Sequence, residues 1–417
     1  MDKKFIKRIV PLFLCISLLF GTIIVSAKNN TEKAASPEYN KTVPTSNYDY
    51  NIKDGEVKAV WVPFMSLESK DNCYTEENFK QRFDNIVEES KKYSINTLIV
   101  HVRPFGDSMY KSDIFPWSHI LTGTQGNDPG FDPLEYMINK THSENMAFHA
   151  WVNPLRIQSN NTPGILADCN LYNKWRNDSD QSNDKWVLDL NNNKFLNPCY
   201  PEVRKIIIDG IKEIVENYPV DGIHFDDYFY PTDNMDFDKE SYNEYLSSLS
   251  QTAIPLSQEE WRIASINSLI SGTYSEIKSI NPNVQFGISP QANINNDIKM
   301  SADIYTWASK NGYVDYLCPQ LYVNFDNPVL SYDKAAKQWR DAITNPNIKY
   351  YIGLGLYKAG SDKYDNGTWK SADNIIQKQV EYGRDSGCNG FMLYSWDFLN
   401  NSQTSEEISN AMKVFNN

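Results

Sequence analysis

Asp221-Gly222-Ile223-His224-Phe225-Asp226-Asp227-Tyr228 is a short apolar run that opens on a glycine and closes on two carboxylates. Successive side chains of a strand point to opposite faces. A strand from Gly222 to Asp226 therefore puts His224, Asp226 and Tyr228 on one face. Asp227 falls on the other if the strand runs that far. The glycine start turns the shared face toward a crowded interior, with Asp226 at its upper end and His224 beneath it.

Runs of the same form recur on both sides. Val57–Pro63, Thr97–Val102 and Ala147–Val152 precede it, and Val284–Ser289, Val314–Pro319, Tyr350–Gly355 and Gly390–Trp396 follow. Most are rich in β-branched or aromatic residues and bounded by Gly, Pro or Asn. Helical patterns lie between them. Glu76–Tyr93 carries Phe79, Phe83, Ile86 and Val87 at one-face spacing. Pro133–Asn145 opens with Asp132 as N-cap and a proline at the first helical position. Pro201–Tyr218 places Val203, Ile207, Ile211 and Ile214 on one face. Ser257–Ile280, Ala302–Lys310, Asp333–Thr344, Ala372–Tyr382 and Ser405–Phe415 complete the series.

Eight strands alternating with helices predict an α/β fold, a single (β/α)8 TIM barrel with enlarged βα loops. The competing architecture is an open doubly wound sheet. No glycine-rich phosphate fingerprint follows the first strand. Nearly every strand ends in polar or aromatic residues, and barrel active sites are built at that end.

The strand ends form an inventory of their own. They supply Arg103 and Asp107 after the second strand, and Asn153 and Arg156 after the third. The fourth gives His224, Asp226, Asp227 and Tyr228, the fifth Gln291 and the sixth Gln320 and Tyr322. Tyr357 follows the seventh, and Trp396 and Asp397 the eighth. Aromatic faces stack on sugar rings, while amides and carboxylates bond hydroxyls, so this set suits a carbohydrate. Singly each has a bland alternative: Arg103 pairing a loop carboxylate, Gln320 satisfying backbone. Together they need a further reason, because buried polar groups at a barrel mouth are costly.

Glycoside cleavage needs one carboxyl to protonate the leaving oxygen and, unless the substrate supplies its own nucleophile, a second as nucleophile or base. Asp226 is the first choice. The second is open between Asp227, Asp397, Asp107 and Asp189, and no glutamate stands at a strand end. A non-catalytic glycan-binding barrel is the alternative reading. A metal-dependent deacetylase is a third, but His101, His119, His142, His149 and His224 lack ligand spacing. With no CxxC or HxxH, no metal or other cofactor is expected.

Lys3, Lys4, Lys7 and Arg8 precede an uncharged stretch from Ile9 to Val25, and Val25-Ser26-Ala27 fits a peptidase site. Residues 1–27 read as a secretory signal peptide, with an uncleaved anchor as the rival. Residues 28–55 read as a flexible spacer and 56–417 as the barrel. The 417 residues carry a net charge of −13; without residues 1–27, 36 basic face 52 acidic residues. That balance argues against nucleic acid, whose phosphates need clustered Lys and Arg. Five cysteines remain beyond the leader, an odd number with no regular spacing, which reads as mostly free thiols with at most one bridge.

HVRPFGDSMY at 101–110, AWVNPLRI at 150–157, LNPCYPEVR at 196–204, DGIHFDDYFYP at 221–231 and CPQLY at 318–322 stand in order along the chain. Together they resemble the glycosyl-hydrolase-like 10 family of bacterial envelope proteins, over about residues 56–416. The resemblance implies a barrel that hydrolyses peptidoglycan glycan, some members preferring strands without peptides or N-acetyl groups. Glycan strands are then the partner; the leader pattern predicts a secreted or cell-envelope location, and the sequence leaves the oligomeric state open, with a monomer expected. Asp226 and Asp227 match the family's DD pair, Arg103 its second-strand arginine, and Asn153 and Arg156 its NP-x-R motif. Cys199 stands where the family has glycine.

Overall fold

A computed structural model describes residues 55–227 and 229–415. The leader and all of the spacer but Gly55 lie outside the described residues, as does Tyr228. Among the described residues, no helix is long and apolar enough to cross a membrane. The strands are β1 (Val57–Val62), β2 (Thr97–Arg103), β3 (Ala147–Val152), β4 (Arg156–Gln158), β5 (Val187–Leu190), β6 (Asn193–Leu196), β7 (Gly222–Phe225), β8 (Gln285–Ile288), β9 (Tyr316–Leu317), β10 (Lys349–Leu354) and β11 (Gly390–Leu393). Eight of them close a barrel in the order β1-β11-β10-β9-β8-β7-β3-β2. All its pairings are parallel, with Ile223 opposite Ala150 on one side and Phe286 on the other. The fold is the expected (β/α)8 barrel.

Local chemistry sets the helices between the strands. Glu76–Lys92 starts where Thr75 accepts the N–H of Asn78, carries Glu76 and Glu77 in its first turn and Lys91 and Lys92 in its last, and buries Phe79, Phe83, Ile86 and Val87. Gln258–Ile280 begins on a capping box between Ser257 and Glu260. The helix expected over Ala372–Tyr382 instead spans Ile375–Asp385. Its start is set from outside: the carboxylate of Glu407, on the helix Ser405–Phe415, accepts the N–H of Ile376.

The predicted loop enlargement falls in two places. Between β3 and β7 the chain folds β4, β5 and β6 into a small antiparallel sheet, ordered β4-β6-β5. After β7 a long connection carries the helix Lys239–Ser248. A buried ion pair anchors it: Arg262 Nε donates to Asp238 Oδ2 over 2.9 Å, and Tyr230 Oη donates to the same oxygen over 2.7 Å. The five described cysteines are free thiols; Cys199 and Cys318 are buried, and Cys199 lies 2.6 Å from Tyr230 Oη.

Alternation divides the barrel's side chains into two cores. Val60, Val62, Leu98, Val100 and Ile223 face the helices. Ala59, Trp61, Ile99, Trp151, Tyr316, Cys318, Tyr351 and Met392 fill the interior as a separate cluster. The interior rings fit because two strands lack side chains beside them. A Cβ on Gly222 would stand 2.6 Å from His149 Nδ1, and one on Gly287 2.0 Å from the Tyr316 ring. Overpacking a filled core costs about 1–3 kcal/mol or more. Gly287→Ala is therefore expected to lower the urea-unfolding free energy by at least that range; an unchanged midpoint would contradict the interior packing.

Candidate active site

A cavity of about 320 Å³ opens at the C-terminal ends of the barrel strands. Trp61, Phe64, Met65, His101, Trp151, Arg156, Asp226, Asp227, Ser289, Gln320, Tyr322, Tyr357 and Tyr394 line it. One group of rings is linked edge and face: Tyr322 and Tyr394 stack at 5.7 Å, with Tyr357 edge-on to both and Trp61 6.1 Å from Tyr394. The other group is built on His101, stacked on Trp151 with centroids 3.7 Å apart. Phe64 lies tilted 6.2 Å from His101, and Arg156 stands 5.3 Å over Phe105.

Both carboxylates of the Asp pair reach this cavity. β7 ends at Phe225, so Asp226 and Asp227 lie in the loop beyond it and escape strict alternation. The condition under which Asp227 would turn away, a strand that runs on through it, is not met. An amide holds each one. Asn153 Nδ2 donates to Asp226 Oδ2 over 3.0 Å and to Oδ1 over 3.3 Å. The Asn153 Oδ1 accepts the backbone N–H groups of Leu155 and Arg156, at 3.1 and 2.7 Å, which fixes the amide. The NP-x-R string is thus a turn that aims Asn153 at Asp226. On the other flank, Gln320 Nε2 donates to Asp227 Oδ1 over 3.0 Å. Burial pushes the Asp227 carboxyl above its usual range, against the opposing pull of the Gln320 amide, its own backbone and Arg156.

Of the other expected site residues, Arg156, Gln320, Tyr322 and Tyr357 line the cavity. His224 does not. It is fully buried below the cavity, where Nδ1 meets Tyr316 Oη at 2.8 Å and Nε2 meets Ser289 Oγ at 2.9 Å. Arg103 is also displaced. The β2–β3 register shifts between His101 and Arg103, and that irregularity turns the guanidinium out toward the helices, 4.1 Å over the Phe115 ring. Its Nε and Nη2 find no partner. Asp107 is buried beside the cavity wall, bonded to His119 Nδ1 and Gln125 Nε2, each at 2.9 Å. Gln291 accepts from Asn296 and Asp397 from Ser66, and neither lines the cavity; nor does Trp396. Asp189 sits on the small sheet with Tyr172, Arg176 and Lys194 and does not line the cavity.

The expected site set lacks Trp61, Phe64, Met65, His101, Trp151, Ser289 and Tyr394, although His101, Trp151, Ser289 and Tyr394 stand in the strand-end strings. For five of these a signal existed. Trp61, His101, Trp151, Ser289 and Tyr394 fall on the inward parity of their strands or just past the strand ends, as His224 does in β7. Phe64 and Met65 sit on a short helix, Phe64–Leu67, that no periodicity marked. Among the described residues, no group of three or more His, Cys, Asp or Glu is placed to hold a metal.

A parallel eight-stranded barrel with paired carboxylates and stacked rings at the C-terminal face defines a glycoside hydrolase of the (β/α)8 class. The chain belongs to the glycosyl hydrolase-like 10 family, whose model matches residues 56–371. It is 31% identical to the glycosyl hydrolase DigH of Escherichia coli K12 over 378 residues, 84% of this chain and 83% of that protein. It is 33% identical to the glycosyl hydrolase YngK of Bacillus subtilis 168 over 332 residues, 74% of this chain and 62% of that protein. Among solved structures, the PgaB (BpsB) glycoside hydrolase domain of Bordetella bronchiseptica is similar in fold. The TM-score is 0.56 at 12% identity, covering 86% of this chain and 99% of that one.

Two outcomes follow from the placements. Burial holds the imidazoles of His101 and His224 well below 6.5 and that of His149 down at about 3. The unfolded chain therefore binds protons that the folded one refuses. Stability is then lost as pH falls below about 6.5, by up to about 1.4 kcal/mol per pH unit for each ring. Urea titrations between pH 7.5 and 5 measure that slope, and proton release on unfolding at pH 5 would oppose it. Separately, Arg103→Met is expected to leave KM for a glycan unchanged and to hold or raise stability, by up to about 4 kcal/mol, since a buried charge gives way to packed apolar volume.

Proposed function

We propose that the chain cleaves β-1,4 bonds in the glycan strands of peptidoglycan, with Asp227 as the general acid and Asp226 as its charged partner. The observation that carries this reading is a pair of adjacent carboxyls in one cavity, each held by its own amide, with burial pushing Asp227 toward its protonated form. Asp227 is desolvated and held toward its protonated form, which an acid requires. Asp226 receives the Asn153 amide across both its oxygens, which fixes its orientation toward the cavity. In this mechanism Asp227 protonates the leaving glycosidic oxygen. Asp226 meets the positive charge that grows at the anomeric carbon, as nucleophile or as base to water.

The cavity's composition supports a sugar ring. Tyr322 and Tyr394 offer ring surface, and the Gln320 carbonyl and His101 offer hydrogen bonds. Its volume lies near the lower end for ligand sites, which favours glycan free of peptide branches. The carboxylate of Asp226 in the lining favours an ammonium over an acetamide, hence N-deacetylated sugar. The basic and apolar leader pattern supports action in the cell envelope or outside the cell. The acidic balance of the chain assigns wall binding to rings and hydrogen bonds, not to net charge.

Asp226→Asn and Asp227→Asn are each expected to lower kcat by about 10²–10⁴-fold with the fold retained, read as new reducing ends from purified glycan strands. The fall of kcat/KM at alkaline pH belongs to Asp227 losing its proton. Full release by either variant would remove that residue from the reaction. Mass spectrometry of products from acetylated and deacetylated strands identifies the bond and the sugar; no cleavage of either would overturn the substrate.

A further inference from the structure

We infer that Tyr316 and His224 are positioning residues for Asp227, acting on it through Ser289 and Gln320. The inference rests on Asp227 being the acid. The barrel interior holds a continuous hydrogen-bonded column. His149 Nδ1 lies 2.9 Å from Tyr316 Oη, and Tyr316 Oη lies 2.8 Å from His224 Nδ1. His224 Nε2 lies 2.9 Å from Ser289 Oγ, and Ser289 Oγ donates to the Phe225 carbonyl over 3.3 Å.

That last bond assigns a direction to the whole column. A Ser289 hydroxyl that donates to Phe225 must accept from His224, so His224 carries its proton on Nε2 and accepts at Nδ1. Tyr316 then donates to His224 and accepts from the Nδ1–H of His149. All three groups of the column below Ser289 are buried, and both imidazoles are held neutral, so the column carries no charge. Its effect at the site is one of placement.

The top of the column meets the acid. Ser289 is held at three atoms: Oγ by His224, N–H by the Phe225 carbonyl at 2.9 Å, and its own carbonyl by Gln320 Nε2 at 2.9 Å. The same Gln320 nitrogen donates its other proton to Asp227. Both N–H groups of the amide are thereby committed, one to the column and one to the acid. The amide cannot follow Asp227 without leaving Ser289, so the column's height fixes where the acid stands. Gly222 and Gly287 leave the room that His149 and Tyr316 occupy.

Tyr316→Phe removes the hydroxyl that joins the two imidazoles. Ser289→Ala cuts the column above His224 and keeps the carbonyl that Gln320 uses. Both variants loosen the Gln320 bond to Asp227. That bond stabilises the carboxylate, so weakening it raises the pH at which Asp227 ionises, and the alkaline limb of kcat/KM moves up. Arg156, Asp226, Tyr322 and Asp297 also act on or stand near Asp227, and neither variant touches them. The enzyme is assayed on purified glycan strands across pH. Each variant is expected to lose about 10–100-fold in kcat with KM little changed, and to show the upward shift. A purely structural column would lower the unfolding midpoint and leave the pH limb in place, and that result overturns the inference. If Tyr316→Phe fails to fold, Ser289→Ala decides alone. Asp227→Asn is run alongside. Its full activity would defeat the assignment of the acid; its inactivity with unshifted limbs in both variants would defeat the column alone.

Discussion

Everything at the mouth of this barrel depends on which face of each strand looks inward. A closed parallel barrel admits one side chain in two from each strand, and the interior has room for only a few large ones. The chain meets that constraint by pairing bulk with absence: Tyr316 beside Gly287, His149 beside Gly222. Once those rings are seated, the register of β7, β8 and β9 is set, because a slip of one residue would drive the rings into the helix layer. The residues just beyond the strands, among them Asp226, Ser289 and Gln320, are then delivered to one cavity.

Much of this could be read in the amino-acid order. The eight strands were visible because a parallel strand is buried on both faces and so reads as an unbroken apolar run. Helix starts were visible because Thr75, Asp132, Pro133 and Ser257 are local signals. The Asp pair was visible because charge at the end of an apolar run has few uses. The family's motif order marked the same positions.

What stayed hidden was set by distant parts of the chain. The first turn of Ile375–Asp385 is capped by Glu407, which follows it by some thirty residues and belongs to another helix. Arg103 obeys the inward parity of β2 on paper, yet one register irregularity after His101 puts it on the far side. His224 has the right parity but the wrong depth. Alternation says which way a side chain points and not how far below the rim it lies. The direction of Asp227 hung on the length of the strand: it stops at Phe225, and past its end the alternation no longer binds. The buried ion pair of Asp238 with Arg262 joins residues whose partnership nothing local announces.

The two amide clamps have a mechanical meaning. Asp226 and Asp227 share a peptide bond, yet each is held by a different part of the wall: Asn153 follows β3 on one side of β7, and Gln320 follows β9 on the other. The gap between the carboxyl groups is therefore gauged by the girth of the barrel across three strand junctions, and only loosely by the backbone that joins them. A stiff cylinder serves here as a caliper. Whatever widens it, heat or a badly seated ring inside, opens the jaws before it unfolds the chain.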